Sequence, residues 1–185
     1  MLARHDGVVV LVSGALPGER VRARVERSSR SLIFARAVDV MDASPARRPP
    51  ECDPACGGMD YAHIAYPEQL RLKGEVIADA FRRIGKMSLD GGVSVEASPE
   101  RGYRLRARLH VENGRVGFFL EGTHRICDAA GTGQLLPETM VAVQGVVEAL
   151  GETAGALGAI TVAENVTAAG RVLHLECRED SRLRT

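Results

Sequence analysis

DGVVVLVSGALPGERVRARV, residues 6–25, carries a strand, a turn and a second strand in one short stretch. GVVVLVSG is an apolar run of buried-strand length, closed at either end by Gly7 and Gly14. Pro17-Gly18 marks the turn. RVRARVER then alternates Val21, Ala23 and Val25 with Arg20, Arg22 and Arg24, the period of a half-exposed strand. LIFARAVDV, residues 32–40, supplies a third strand. Short strands at this spacing, with few helical signals between them, predict a small β-barrel over residues 1–46.

Residues 47–65 read as an irregular connector containing SPARRPP's arginines and a Cys-Gly-Gly segment. PEQLRLKGEVIADAFRRIG, residues 67–85, predicts a helix with Pro67 in its first turn and Gly85 as its stop. Leu70, Val76, Ile77, Ala80, Phe81 and Ile84 share its apolar stripe. In YRLRARLHVENGRVGFFLE, Asn113-Gly114 between two alternating runs predicts a β-hairpin. A second helix is expected over 137–150, followed by AITVAENVT and RVLHLECRE as a closing strand pair. The layout is α+β: a small barrel, the connector, and an α+β unit with an antiparallel sheet over 66–185. There is no internal repeat.

The chain has 185 residues, 45% hydrophobic and 26% charged, with formal net charge zero, which allows one sizeable domain or two small ones. Neutrality conceals a gradient. Residues 1–110 hold 18 Lys+Arg against 14 Asp+Glu, and residues 111–185 hold 6 against 10. A polyanionic partner therefore belongs to the first part. All the basic residues except Lys73 and Lys86 are arginines, whose planar fork suits phosphate. No signal peptide is evident at the N-terminus and no apolar segment approaches membrane-spanning length. The reading is a cytoplasmic protein without a membrane partner, its four cysteines expected as reduced thiols or ligands rather than disulfides.

Arg104, Arg106 and Arg108 lie at i, i+2 and i+4, so one strand face would present all three. Arg20, Arg22 and Arg24 do the same in the barrel. With Arg47 and Arg48 in the connector and Lys73 on the helix, these rows can track phosphates; they can equally be solvated faces paired with local acids. With no Trp, three Tyr and four Phe, recognition by backbone and shape is favoured over multiple stacked bases.

Several segments resemble one family. DGVVVLVSGALPGERVRARV resembles the TRAM domain, an oligonucleotide-binding-type barrel, as found in uracil-5 RNA methyltransferases. CGG, His63, Tyr66, Gln69, Leu70 and Lys73 look like that family's iron–sulfur loop and first central-domain helix. YRLRARLHV, GFFLEGTHRICD and RVLHLEC resemble its central domain. The resemblance covers essentially the whole chain. It implies binding of folded ribosomal or transfer RNA, adds His63 and Gln69 to the RNA-facing set, and implies S-adenosylmethionine as methyl donor for the full-length family. Two departures accompany it. The family barrel opens with one more strand than is found before LARHDG. The domain holding the methyl-donor site, nucleophilic Cys and base Glu would begin after Thr185. No catalytic residue is therefore expected, and a catalytic domain would act in cis or in trans on a truncated chain. The nearest glycine-rich candidate, DAAGTGQLLPE, follows no strong buried strand. Cys177, in HLECRED, reads as a strand residue.

PPECDPACGGMDYAHIAYPEQL, residues 49–70, then becomes a question of ligand number. A cubic iron–sulfur cluster needs four thiolates. Cys52 and Cys56 match the family's first two, Met59 stands at the third, and the fourth falls at about Thr132, five residues beyond Cys127. Cys52 and Cys56 are thus expected to be a remnant without a 4Fe-4S cluster. Plain loop thiols, or a zinc site with His63 lacking a fourth ligand, are the alternatives. Two functional readings follow: the RNA-recognition portion of an RNA (uracil-5-)-methyltransferase, or a stand-alone non-catalytic RNA-binding or scaffold module.

Overall fold

The computed structural model of the protein describes residues 1–178. They form two compact units: Met1–Pro50 with Asp60–Glu96, and Glu51–Met59 with the chain from Ala97 onward. These limits cut the connector differently from the sequence reading. The cysteine loop belongs to the second unit, and the first long helix belongs to the first.

In the first unit β1 (Leu2–His5), β2 (Val8–Ser13), β3 (Arg20–Ser28) and β4 (Leu32–Asp42) form a sheet of order β1-β2-β4-β3. LARH, expected to trail a missing strand, is itself the edge strand, with Leu2 opposite Leu11 and His5 opposite Val8. Asp6 and Gly7, both at positive φ, make the tight reversal. β2 runs parallel to β4, and β3 returns antiparallel to β4. Register shifts after Arg20, Arg22 and Val25 break the pleat of β3, so its alternation does not sort into faces; Val25 is 57% exposed.

α1 (Tyr66–Arg83) carries Pro67 in its first turn, as expected. It seats Leu72 with Leu16 and Ile64, and Gly74 lies against the Val93 carbonyl, where a Cβ would come within 2.8 Å. That contact corrects the expected stripe. Val76, Ile77, Phe81 and Ile84 are exposed, because the helix packs through its first half.

The second unit holds β5 (Arg106–Glu112), β6 (Arg115–Phe119), β7 (Ile126–Asp128), α2 (Pro137–Leu150), β8 (Leu157–Glu164) and β9 (Arg171–Cys177). Its sheet is antiparallel throughout, in order β7-β6-β5-β8-β9. Asn113 and Gly114 both take positive φ at the β5–β6 turn, the backbone a two-residue hairpin demands. Gly117 is required for another reason: a Cβ there would lie 2.1 Å from the Cys127 carbonyl, so β7 could not pair. Ala107, Leu109 and Val111 alternate into one core with Phe118, Ile160 and Val162, closed by Met140, Val143 and Val147 of α2. The same alternation turns Arg106, Arg108, His110 and Glu112 to the other face. No helix among the described residues is long and apolar enough to cross a membrane.

Candidate nucleic-acid interface

On that face of the second unit, Arg106 is exposed and Arg108 donates to both carboxylate oxygens of Glu176, at 3.0 and 2.7 Å. Thr161 donates to the same carboxylate at 3.0 Å, and the two donors hold Glu176 down to about 2. Arg108 keeps half its side chain in solvent. Solvent screens an exposed ion pair, so an incoming phosphate can compete for this guanidinium. Next along β5, the His110 ring stacks on Phe119 with centroids 3.5 Å apart and planes 12° apart. His124 meets Phe119 edge-on at 5.4 Å.

Arg104 does not share this face. It precedes β5, donates from Nη1 to Gln134 Oε1 at 2.7 Å, and lies over the buried Phe118 ring. The expected trio is therefore a pair, because the regular pleat begins only at Arg106.

In the first unit, Arg20 pairs with Asp42 at 2.9 Å and Arg22 with Asp39 at 2.5 Å, each arginine side chain about 70% exposed. Arg24 lies opposite Arg36 with no ion pair to a described residue. These three are accessible. The other candidates hold the fold. Arg47 donates to Glu19 through Nε and Nη2 and to the Gly14 carbonyl; Arg48 donates to the Ala62 carbonyl. Gln69 donates to the carbonyls of Tyr61 and Ile64. His63 is buried, and burial together with the charge of Arg47 lowers its pKa. Of His63, Gln69 and Lys73, only Lys73 is exposed.

A TRAM family profile matches residues 1–38. The chain opens with a TRAM domain. Its relatives include a 23S rRNA (uracil(1939)-C(5))-methyltransferase RlmD of Halomonas elongata, 40% identical over 71% of this chain and 29% of that protein. Another RlmD, from Methylococcus capsulatus, is 37% identical over 69% of this chain and 30% of its own length. An uncharacterized RNA methyltransferase of Bdellovibrio bacteriovorus is 34% identical over 69% of this chain and 33% of its own length. The chain thus spans about a third or less of the relatives it matches.

Outside the TRAM domain, the cysteine loop corrects one expectation. Cys56 is joined to Cys127 in a disulfide, Cα atoms 5.8 Å apart, and so is not a thiolate ligand. The loop docks as an extra strand piece: Gly57 N–H donates to the Phe119 carbonyl, and Glu121 N–H to the Ala55 carbonyl. That docking brings Cys56 alongside β7, which spacing in sequence could not reveal. Cys52 remains a free thiol, its pKa raised by burial and by Asp53 and Glu51, with Arg101 opposing. Met59 packs against the apolar core, and Thr132 donates to the Ala129 carbonyl at 2.7 Å. These residues do not fit a four-thiolate cluster. His63 lies in the other unit from Cys52 and Cys56. No group of three or more His, Cys, Asp or Glu among the described residues is placed to hold a metal ion.

DAAGTGQLLPE forms turns whose Gly133 and Gln134 lie against residues 101–104. Gly102 N–H donates to the Gly133 carbonyl, and a Cβ on Gly133 would meet the Arg101 guanidinium at 2.9 Å. Cys177 ends β9, exposed; its neighbours Glu179 and Asp180 lie outside the described residues. Sequence reasoning missed His110, Phe119 and His124. The signal was present: His110 continues the Arg106–Arg108 alternation, and the Asn113-Gly114 register sets Phe119 beside it.

Proposed function

We propose that this chain is the RNA-recognition portion of an S-adenosylmethionine-dependent RNA uracil-C5 methyltransferase. It docks folded ribosomal RNA in the cytoplasm and presents a uridine to a catalytic domain acting in cis or in trans. On this reading the TRAM strands serve as an oligonucleotide-binding-type barrel whose exposed Arg20, Arg22 and Arg24 contact phosphate. The observation that carries the reading is the face of the β7-β6-β5-β8-β9 sheet opposite α2. It presents Arg106 and Arg108, in a chain whose relatives are RNA methyltransferases.

S-adenosylmethionine, held by the catalytic domain, would supply the methyl group. The chain's own contribution is electrostatic positioning. Titration of a folded 23S rRNA fragment into the protein at rising salt tests this, with transfer RNA as the comparison. Affinity should fall linearly on a log–log plot, and Arg106→Glu with Arg108→Glu should reduce that slope by about 2, leaving the part due to the other arginines. Binding that is absent, or indifferent to ionic strength, would discard the reading.

A further inference from the structure

The ringed end of the second unit's sheet contains a cavity that phosphate contacts do not explain. It has a volume of about 200 Å³ and is lined by His110, Glu112, Phe119, His124, Gly158 and Arg178, among others. Pockets for drug-sized ligands hold ~300–1,000 Å³, so this one suits a single planar ring system. Its walls match such an occupant. His110 pairs across the strands with Gly117 on one side and Ala159 on the other, so neither neighbour carries bulk that could cover the imidazole. The β8 register shift between Leu157 and Ala159 places Gly158 in the wall, without a side chain. Arg178 is anchored there by donating to the Leu157 carbonyl at 3.1 Å and the Val111 carbonyl at 3.0 Å. A guanidinium plane, an imidazole and a phenyl ring are the surfaces on which unstacked bases are held.

We infer that this cavity holds one unpaired nucleobase of the bound RNA, stacked on the His110–Phe119 pair, with the adjoining phosphates on Arg108 and Arg106. The inference rests on the RNA-binding reading above and adds to it a single-stranded feature in the RNA. Glu112 is the carboxylate in the lining. It repels phosphate from that end and accepts from an N–H on a base edge, which orients the nucleotide with its backbone toward the arginines. Burial, helped by Arg108 and His124 and opposed by Glu176, lowers the His110 pKa.

The test compares two RNAs on the full chain: a hairpin with an unpaired loop nucleotide replaced by a fluorescent purine, and the same stem without the loop. Stacking on an aromatic ring corresponds to about five- to 150-fold in affinity. The looped RNA should bind tighter by a factor in that range, with quenched fluorescence. Phe119→Leu keeps the apolar bulk and removes the ring, and His124→Ala alters an exposed residue; both should collapse the loop preference while stem binding and its salt slope persist. An abasic loop should bind like the stem. Equal binding of loop and stem, unchanged by these variants, overturns the base site and leaves the RNA-binding reading standing. If no RNA binds, that reading fails, and a nucleoside monophosphate titration followed by the His110 and His124 ring resonances decides the cavity alone. Shifts that Phe119→Leu removes would retain it as a nucleotide site; unmoved resonances would overturn it.

Discussion

Arg47 grips Glu19 through two nitrogens, Nε and Nη2, each 2.6 Å from a carboxylate oxygen, and the Glu19 side chain is wholly buried. Backbone N–H groups of Leu16 and Ser44 donate to the same carboxylate. The pair therefore ties the ALPGER turn to the segment leaving β4. Removing one partner strands a buried charge, which costs ~3–5 kcal/mol. Arg47→Ala should lower stability in a denaturant titration by about 3 kcal/mol, the smaller figure because Arg47 keeps 21% of its side chain in solvent. The RNA salt slope should not change. A lost slope with intact stability would make Arg47 a phosphate contact after all.

The same carboxylate sets an acid limit. Hydrogen bonds from Arg47 first, opposed by burial, hold Glu19 down to about 2 from an ordinary 4.5. A depressed carboxylate contributes stability that is complete above the unfolded value and is lost as pH falls through the folded one. Between pH 5 and 2 the wild type should lose stability more steeply than Glu19→Gln, measured by urea midpoints. Parallel curves would show that the pair is not charged.

His63 works in the same direction at higher pH. Burial is the main cause of its lowered pKa, with Arg47 adding repulsion and Glu19 opposing, and its Nε2 atom has no hydrogen-bond partner in the described structure. A histidine kept neutral by the fold favours the native state above ~6.5, and that contribution is lost as pH falls through the lower folded value. Its ring resonance should titrate below pH 6.5, and His63→Gln should flatten stability between pH 7 and 5. A midpoint at or above 6.5 would contradict the burial seen.

Cys56 and Cys127 make a separate prediction. Under denaturing, non-reducing conditions a thiol assay should count two free groups, Cys52 and Cys177, and four after reduction. Cys56→Ser should cost ~2–4 kcal/mol relative to the oxidised wild type, because the bridge closes a long loop in the unfolded chain. Four reactive thiols before reduction would remove the bridge.

Local signals made much of the fold readable in advance. The Asn113-Gly114 turn, Pro137 opening α2, and the strand pair closing the chain all depend on near neighbours, and each lies where its residues place it. The division into units was less readable, because the cysteine loop is held by Phe119 and Cys127, more than sixty residues away. The exposed stripe of α1 misled for a related reason: helical periodicity shows that Ile77, Phe81 and Ile84 align, but not whether anything covers them. Among the site residues, strand alternation located Arg106 and Arg108 and failed one step outside the strand, at Arg104. It failed likewise at β3, where bulges reset the pleat.

That contrast between neighbouring arginines gives the most direct check on the interface. Arg104 is spent inside its unit, on Gln134 and the Phe118 ring, and Gln134 in turn donates to the Gly57 carbonyl at 2.9 Å. Arg104→Ala should therefore destabilise the unit and loosen the cysteine loop while leaving the salt slope of RNA binding unchanged. Arg106 is exposed at the start of β5, and no hydrogen bond from its side chain or ion pair joins it to a described residue. Arg106→Ala should leave the melting temperature within a degree or two and reduce the slope of log affinity against log salt by about 1, the signature of one lost phosphate contact. Were the two variants to exchange these effects, the side of the sheet opposite α2 would not be the side that meets RNA.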